Sequence, residues 1–127
     1  MYRVEEERIV ETTGIWAYRQ DSGYQPGMDL SGFAVEATDG RVGKVDKHND
    51  EVEAGRIVVD TGMWIFGKQV LLPVGVISSI DAAQRVAYVA RSRDEIKNAP
   101  EYDRDRHEDD PEYLQQLGAY YLMLPWH

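Results

Sequence analysis

The middle of the chain reads Arg56-Ile57-Val58-Val59-Asp60-Thr61-Gly62, Met63-Trp64-Ile65-Phe66-Gly67, Lys68-Gln69-Val70-Leu71-Leu72-Pro73 and Val74-Gly75-Val76-Ile77-Ser78-Ser79-Ile80-Asp81. Two β-branched and aliphatic runs flank an apolar loop with a glycine at each end, and a third short run follows a proline. Short runs of this kind, bounded by turn residues, predict strands of a small antiparallel sheet or barrel. Ile57-Val58-Val59-Asp60 is apolar without alternation, which predicts a strand covered on both faces. Gln69 to Pro73 predicts the next strand, and Pro73 ends its ladder because proline has no N–H to donate.

Working outward, Phe33-Ala34-Val35-Glu36-Ala37 predicts the first strand. Asp39-Gly40 then supplies the positive φ that a tight reversal needs. Val42 to His48 alternates loosely between apolar and polar, as a half-buried strand does. Asn49 to Gly55 is an acidic loop. On the other side, Val76 and Ile77 lead into a fifth strand ending at Asp81. Ala82-Ala83-Gln84 makes a turn, and Arg85-Val86-Ala87-Tyr88-Val89-Ala90 is the sixth strand. Six short strands with short connections curl or close more readily than they stay flat. The expected fold is therefore mainly β: a small antiparallel β-barrel of about six strands, followed by short C-terminal helices.

Three segments are expected. Residues 1–27 form an N-terminal arm, residues 28–102 the barrel domain, and residues 103–127 an acidic linker with a C-terminal helix and tail. In the arm, Ile15-Trp16-Ala17-Tyr18 is an apolar patch that either docks on the barrel or receives a partner. After the last strand, Ser92-Arg93-Asp94-Glu95 has capping-box spacing, and Pro100 stops the short helix it begins. The charged stretch from Glu101 to Asp110 reads as solvated. Asp110-Pro111 starts a second helix, with Leu114, Leu117 and Tyr121 on one face.

Composition narrows the function classes. The chain has 127 residues and a formal net charge of −9, so nucleic acid would repel it in the absence of a clustered basic patch. It has no cysteine, which excludes disulfides, thiol nucleophiles and cysteine zinc sites. The first residues, Met1-Tyr2-Arg3-Val4-Glu5-Glu6-Glu7-Arg8, argue against a secretory signal. Leu117 to Leu124 is far shorter than the ~20 apolar residues of a spanning helix. A cytoplasmic chain with no membrane span and no direct nucleic-acid contact is expected.

Catalytic constellations are not legible. His48, His107 and His127 are scattered, and Ser78 and Ser79 lack a His-Asp partner at a recognisable spacing. His107-Glu108-Asp109-Asp110 reads as a solvated charge run, with weak divalent-cation binding as the alternative. Gly40-Arg41-Val42-Gly43 has the form of a nucleic-acid clamp but sits in a hairpin. Asp46, Asp50 and Glu51 read as exposed loop acids. Met63-Trp64-Ile65-Phe66 is the notable local feature: its large side chains either plug one end of the barrel or anchor a partner. The C-terminal helix and Trp126 either cover a barrel edge within the chain or exchange with a second copy. The candidate partner-binding residues are Trp64, Ile65, Phe66, Tyr121 and Trp126.

The central block resembles the PRC-barrel family. The residues that carry the resemblance are Asp39-Gly40-Arg41-Val42-Gly43-Lys44-Val45, Gly55-Arg56-Ile57-Val58-Val59-Asp60, Gly62-Met63-Trp64-Ile65-Phe66-Gly67-Lys68, Val70-Leu71-Leu72-Pro73, Ile80-Asp81 and Val86-Ala87-Tyr88-Val89. The likeness covers roughly Met28 to Tyr102. The family takes in the cytoplasmic domain of the photosynthetic reaction centre H subunit, a ribosome-maturation factor, and small stand-alone bacterial and archaeal proteins. The resemblance implies a barrel of about six strands and a non-catalytic module that binds other proteins. It transfers no catalytic residue, cofactor or metal. The expected function is an adaptor for a protein partner, with a homodimer among the arrangements open to it. The alternatives are an accessory factor in ribosome or RNA processing that acts through a protein contact, and a barrel that binds a small ligand or metal.

Overall fold

The computed structural model describes residues 13–51, 54–62, 64, 68–107 and 109–125. The chain is mainly β, with strands β1 (Ala34–Ala37), β2 (Gly40–Asn49), β3 (Arg56–Asp60), β4 (Gln69–Pro73), β5 (Ile77–Asp81) and β6 (Val86–Val89). Three short helices follow: α1 (Arg93–Lys97), α2 (Arg104–His107) and α3 (Pro111–Met123). Single 3-10 turns lie at Thr13–Trp16 and Val74–Val76. The six strands form one sheet in the order β4-β3-β2-β1-β6-β5.

The sheet is mixed, which corrects the antiparallel expectation. β1 and β6 pair in parallel, whereas the other neighbours are antiparallel. The cause is the connection between β4 and β5. Those pairings make β4 and β5 run in the same direction, so the 3-10 turn at Val74–Val76 does not reverse the chain. A hairpin there would have brought β6 back antiparallel to β1.

The same turn rolls the sheet. A flat six-stranded sheet would hold its edges ~24 Å apart at ~4.8 Å per step. Yet the edge strands β4 and β5 are joined by only three residues, Val74–Val76, and such a bridge spans at most roughly 14 Å. Bulges in the β1–β2, β2–β3 and β5–β6 ladders add local bend and twist. Among the described residues, however, no ladder joins β4 to β5, so the barrel expected from sequence is not closed. One strand ends where the other begins, and the two cannot lie side by side along their length.

Local signals are well reflected. Gly40 takes φ 147° in the turn between β1 and β2. β3 is buried at Arg56, Ile57, Val58 and Val59, so both of its faces are covered. Ser92 Oγ accepts from Glu95 N–H at 3.1 Å, and Ser92 N–H donates to Glu95 Oε1 at 2.9 Å, completing the capping box of α1. Asp110 caps α3 by accepting from Glu112 N–H at 3.0 Å. β6 begins one residue later than expected, because Arg85 takes a left-handed φ of 59° to finish the preceding turn.

The flanks belong to the core. Ile15 and Trp16 from the arm and Tyr102, Tyr113, Leu117 and Tyr121 from the C-terminal segment join the strand residues in one buried cluster. Burying a large apolar side chain contributes roughly 1.5–3 kcal/mol. The patch around Trp16 therefore docks on the sheet. The approach is close: a Cβ on Gly75 would lie 2.4 Å from the Ile15 carbonyl oxygen. The stretch from Glu101 to Asp110 is only partly solvated, since it contains buried Tyr102 and forms α2. The buried Arg91 guanidinium donates to the Tyr121 and Pro125 carbonyls at 3.2 and 2.7 Å and ties the end of α3 to the end of β6. Cations suit that end of a helix, where carbonyls are left over.

Candidate functional site

The arm after Trp16 is pinned to the sheet by its own backbone. Gly55 N–H donates to the Trp16 carbonyl at 2.9 Å, and Ile80 N–H donates to the Ser22 carbonyl at 2.8 Å. Arg19 Nε reaches the Gly75 carbonyl at 3.1 Å. Between these ties Tyr18 and Tyr24 stack face to face, with ring centroids 3.6 Å apart and planes 1° from parallel. The edge of His48, at the end of β2, meets both rings at 6.3 Å.

Hydrogen bonds order this group. Leu30 N–H donates to His48 Nδ1 at 3.2 Å. A nitrogen that accepts carries no proton, so the proton of the neutral ring lies on Nε2. Nε2 stands 2.6 Å from the Tyr18 hydroxyl and donates to it. The Tyr24 hydroxyl donates to Asp50 Oδ2, and Asp50 Oδ1 lies 3.3 Å from His48 Nε2. The His48 side chain is 5% exposed while Asp50 is 46% exposed, so the group runs from the interior to the surface.

The electrostatics keep both hydroxyls protonated. Burial, reinforced by the Asp50 charge, pushes the Tyr18 hydroxyl far above the ordinary phenol range. Burial and the bond to Asp50 push Tyr24 up to about 12. Hydrogen bonds from Ser31 hold the Asp29 carboxyl below its usual value. Beside the ring pair lies a cleft of about 350 Å³ whose walls include Trp16, Tyr18, Tyr24 and Pro26, with Asp50 and Glu51 also lining it. It is a preorganised aromatic surface flanked by carboxylates.

The residues singled out in the sequence are placed differently. Trp64 is half-buried against the core, and the Arg93 guanidinium lies 4.5 Å from its ring centroid. Ile65, Phe66 and Trp126 lie outside the described residues. Tyr121 is 0% exposed, so in this arrangement it is a core residue with no surface for a partner. Ser78 Oγ donates to the Tyr88 carbonyl at 3.2 Å. His107 stacks on Tyr113 at 4.2 Å, and its Nδ1 accepts from Asp103 N–H at 3.0 Å. Asp109 pairs with Arg56 at 2.9 Å, and Asp46 accepts from Gln69 Nε2 at 2.9 Å. Among the described residues, no group of three or more His, Asp or Glu is disposed to hold a metal ion. Nor is any helix there long and apolar enough to cross a membrane.

The tyrosine cluster was not legible as a unit. Tyr18 and Tyr24 come from the arm, and His48 and Asp50 come from the end of β2 and the loop beyond. The only local hint is the close pair His48 and Asp50. The arm's path, set by backbone ties to Gly55 and Ile80, brings the rings to them. Comparison with known proteins adds no family: no protein-family model matches the chain, and no curated protein matches it.

Proposed function

We propose that the chain is a PRC-type β-barrel module that binds a protein partner and catalyses no reaction. The observation that carries this reading is the cleft lined by Trp16, Tyr18, Tyr24 and Pro26 and flanked by Asp50 and Glu51. Aromatic side chains dominate the energetics of protein interfaces, and the ones here are held in position before a partner arrives. The acidic flank and a net charge of −9 favour a partner segment that carries lysine or arginine, through steering and complementarity. The rolled sheet of six strands, with its edges meeting at Val74–Val76, is compatible with the PRC-type resemblance.

Quantitative affinity capture from the source cell tests the reading, with wild type, Tyr24→Ala and Trp64→Ser as baits. A partner anchored on the cleft should lose at least ~30-fold in affinity on Tyr24→Ala, the effect of an interface hot spot. Loss on Trp64→Ser alone would move the contact to that loop. A wild-type chain that enriches nothing above an unrelated protein of equal charge refutes the reading. The acidic flank also suits a basic ribosomal protein, and co-sedimentation with ribosomal particles at low salt would identify that class. Light scattering on the isolated chain reads self-association separately.

A further inference from the structure

His48 and His107 each accept a backbone N–H on Nδ1, from Leu30 at 3.2 Å and from Asp103 at 3.0 Å. A ring nitrogen accepts only while it carries no proton, and histidine is the side chain whose charge ordinarily changes between pH 5 and 8. Both bonds are therefore open to disruption by acid. The one at His48 bears on the tyrosine cleft, because the segment that leads to Leu30 carries Tyr24, Pro26 and Gly27, which line that cleft.

Titratable and charged groups meet the His48 ring from several elements. From the arm and the turn after it come the Tyr18 hydroxyl, 2.6 Å from Nε2, the Tyr24 ring, and Asp29 Oδ1, 3.8 Å from Nδ1. From the loop after β2 comes Asp50 Oδ1, 3.3 Å from Nε2. Lys47 of β2, Arg56 of β3 and Tyr102 of the C-terminal segment line a cavity together with His48, and the Arg56 charge is met by Asp109 and Glu51. Each ring nitrogen thus has a carboxylate within 4 Å, at 3.8 and 3.3 Å. Asp29 Oδ1 is engaged by Ser31 N–H at 3.0 Å, and Leu30 between them is 0% exposed.

We infer that His48 is a pH-operated latch on the segment that walls the tyrosine cleft: the neutral ring holds Leu30 N–H on Nδ1, and the protonated ring releases it and turns Nδ1–H to the Asp29 carboxylate. A proton on Nδ1 faces the Leu30 N–H, donor against donor, so the two must part. A buried N–H without a partner is costly, so the segment around Asp29 and Leu30 moves to find another. Nε2–H keeps its bond to the Tyr18 oxygen in both forms, which confines the change to the Nδ1 side. The new positive charge also stands beside Asp50, which flanks the cleft. A basic partner segment is then held less tightly in acid. That last consequence rests on the protein-binding reading, whereas the latch itself does not.

NMR of the full chain without any ligand tests the latch. At about pH 8, long-range nitrogen–proton correlations should show His48 Nδ1 without a proton and Nε2 with one. As pH falls to about 5, the Leu30 and Ser31 amide signals should move with the same midpoint as the His48 ring, and Leu30 should lose its protection from hydrogen exchange. His48→Asn, whose side-chain oxygen can take the place of Nδ1 but does not titrate, should abolish the step at Leu30 and leave the step at Asp103, which reports His107. Asp29→Asn keeps an acceptor for Ser31 and removes the counter-charge, so it should displace the Leu30 step to lower pH; it serves as the check if His48→Asn does not fold. An acetylated tetra-arginine amide then probes the cleft. Its affinity should fall about fivefold between about pH 8 and about pH 5 in the wild type, the effect of one added charge nearby, and stay constant in His48→Asn. The latch is overturned if Nδ1 carries the proton at high pH, if the Leu30 signal does not follow the His48 ring, or if the step persists in His48→Asn. A latch seen by NMR with peptide affinity independent of pH overturns the control of the cleft, and a peptide that binds at neither pH counts against a basic partner while the amide signals still decide the latch.

Discussion

Removing the Asp109 carboxylate should destabilise the chain, and the effect should depend on Arg56. Arg56 lies on β3, beside the edge strand β4, with a side chain 4% exposed. Its Nη2 donates to Asp109 Oδ1 at 2.9 Å, its Nη1 donates to the Ala54 carbonyl at 2.6 Å, and Glu51 stands 3.6 Å away. Breaking a fully buried pair costs roughly 3–5 kcal/mol, whereas an exposed pair is worth about 0–1 kcal/mol. This pair is buried at the arginine and 80% exposed at Asp109. Ala54 and Glu51 also remain to the guanidinium, so Asp109→Ala should cost about 1–2 kcal/mol, nearer the exposed limit. For a domain of this size that corresponds to a fall of roughly 3–10 °C in Tm. In an Arg56→Met background there is no buried charge to compensate, and the same replacement should cost roughly zero. The double-mutant cycle is read by thermal and urea unfolding, followed by far-UV circular dichroism. An equal cost in both backgrounds would show that Asp109 acts through its own segment. No cost in the wild type would show that Ala54 and Glu51 suffice. Either result refutes the view that this acidic stretch is a clasp on β3.

Three further outcomes follow from the packing and the hydroxyls. Gly75→Ala places a methyl 2.4 Å from the Ile15 backbone oxygen, so it should destabilise by roughly 1–3 kcal/mol in equilibrium unfolding; an unchanged midpoint would mean that the arm is not seated there. Tyr121→Phe should raise stability by about 1 kcal/mol, because it removes a buried hydroxyl that is unpaired among the described residues; a loss of stability would show that the hydroxyl is satisfied. Burial and the bond to Asp50 push the Tyr24 hydroxyl up to about 12, from an ordinary value of 10.0. Its folded pKa is raised, so its contribution is complete below about 10 and is lost as pH rises towards about 12. The phenolate absorbance titration of the wild type should therefore contain a late-ionising tyrosine that Tyr24→Phe removes, and an unchanged titration curve would contradict the bond to Asp50.

What the sequence determined by itself was local. Strand positions follow from runs such as Ile57 to Asp60 and Gln69 to Pro73, because side-chain patterning and missing donors act within a few residues. The turn at Asp39-Gly40 and the caps at Ser92 and Asp110 are legible for the same reason, since each is a bond between near neighbours. Strand direction across the seam was not legible. It depends on whether Val74–Val76 reverses the chain, and its failure to do so makes β6 parallel to β1. Tyr121 illustrates the same limit. Its spacing places it on the apolar face of a helix, but only the tertiary arrangement decides that this face is covered, and that the buried hydroxyl has no hydrogen-bond partner among the described residues. Tyr18, Tyr24, His48 and Asp50 likewise acquire a shared chemistry only when the arm is tied to Gly55 and Ile80. Contacts between distant segments depend on the path of the whole chain, and no short window of residues encodes that path.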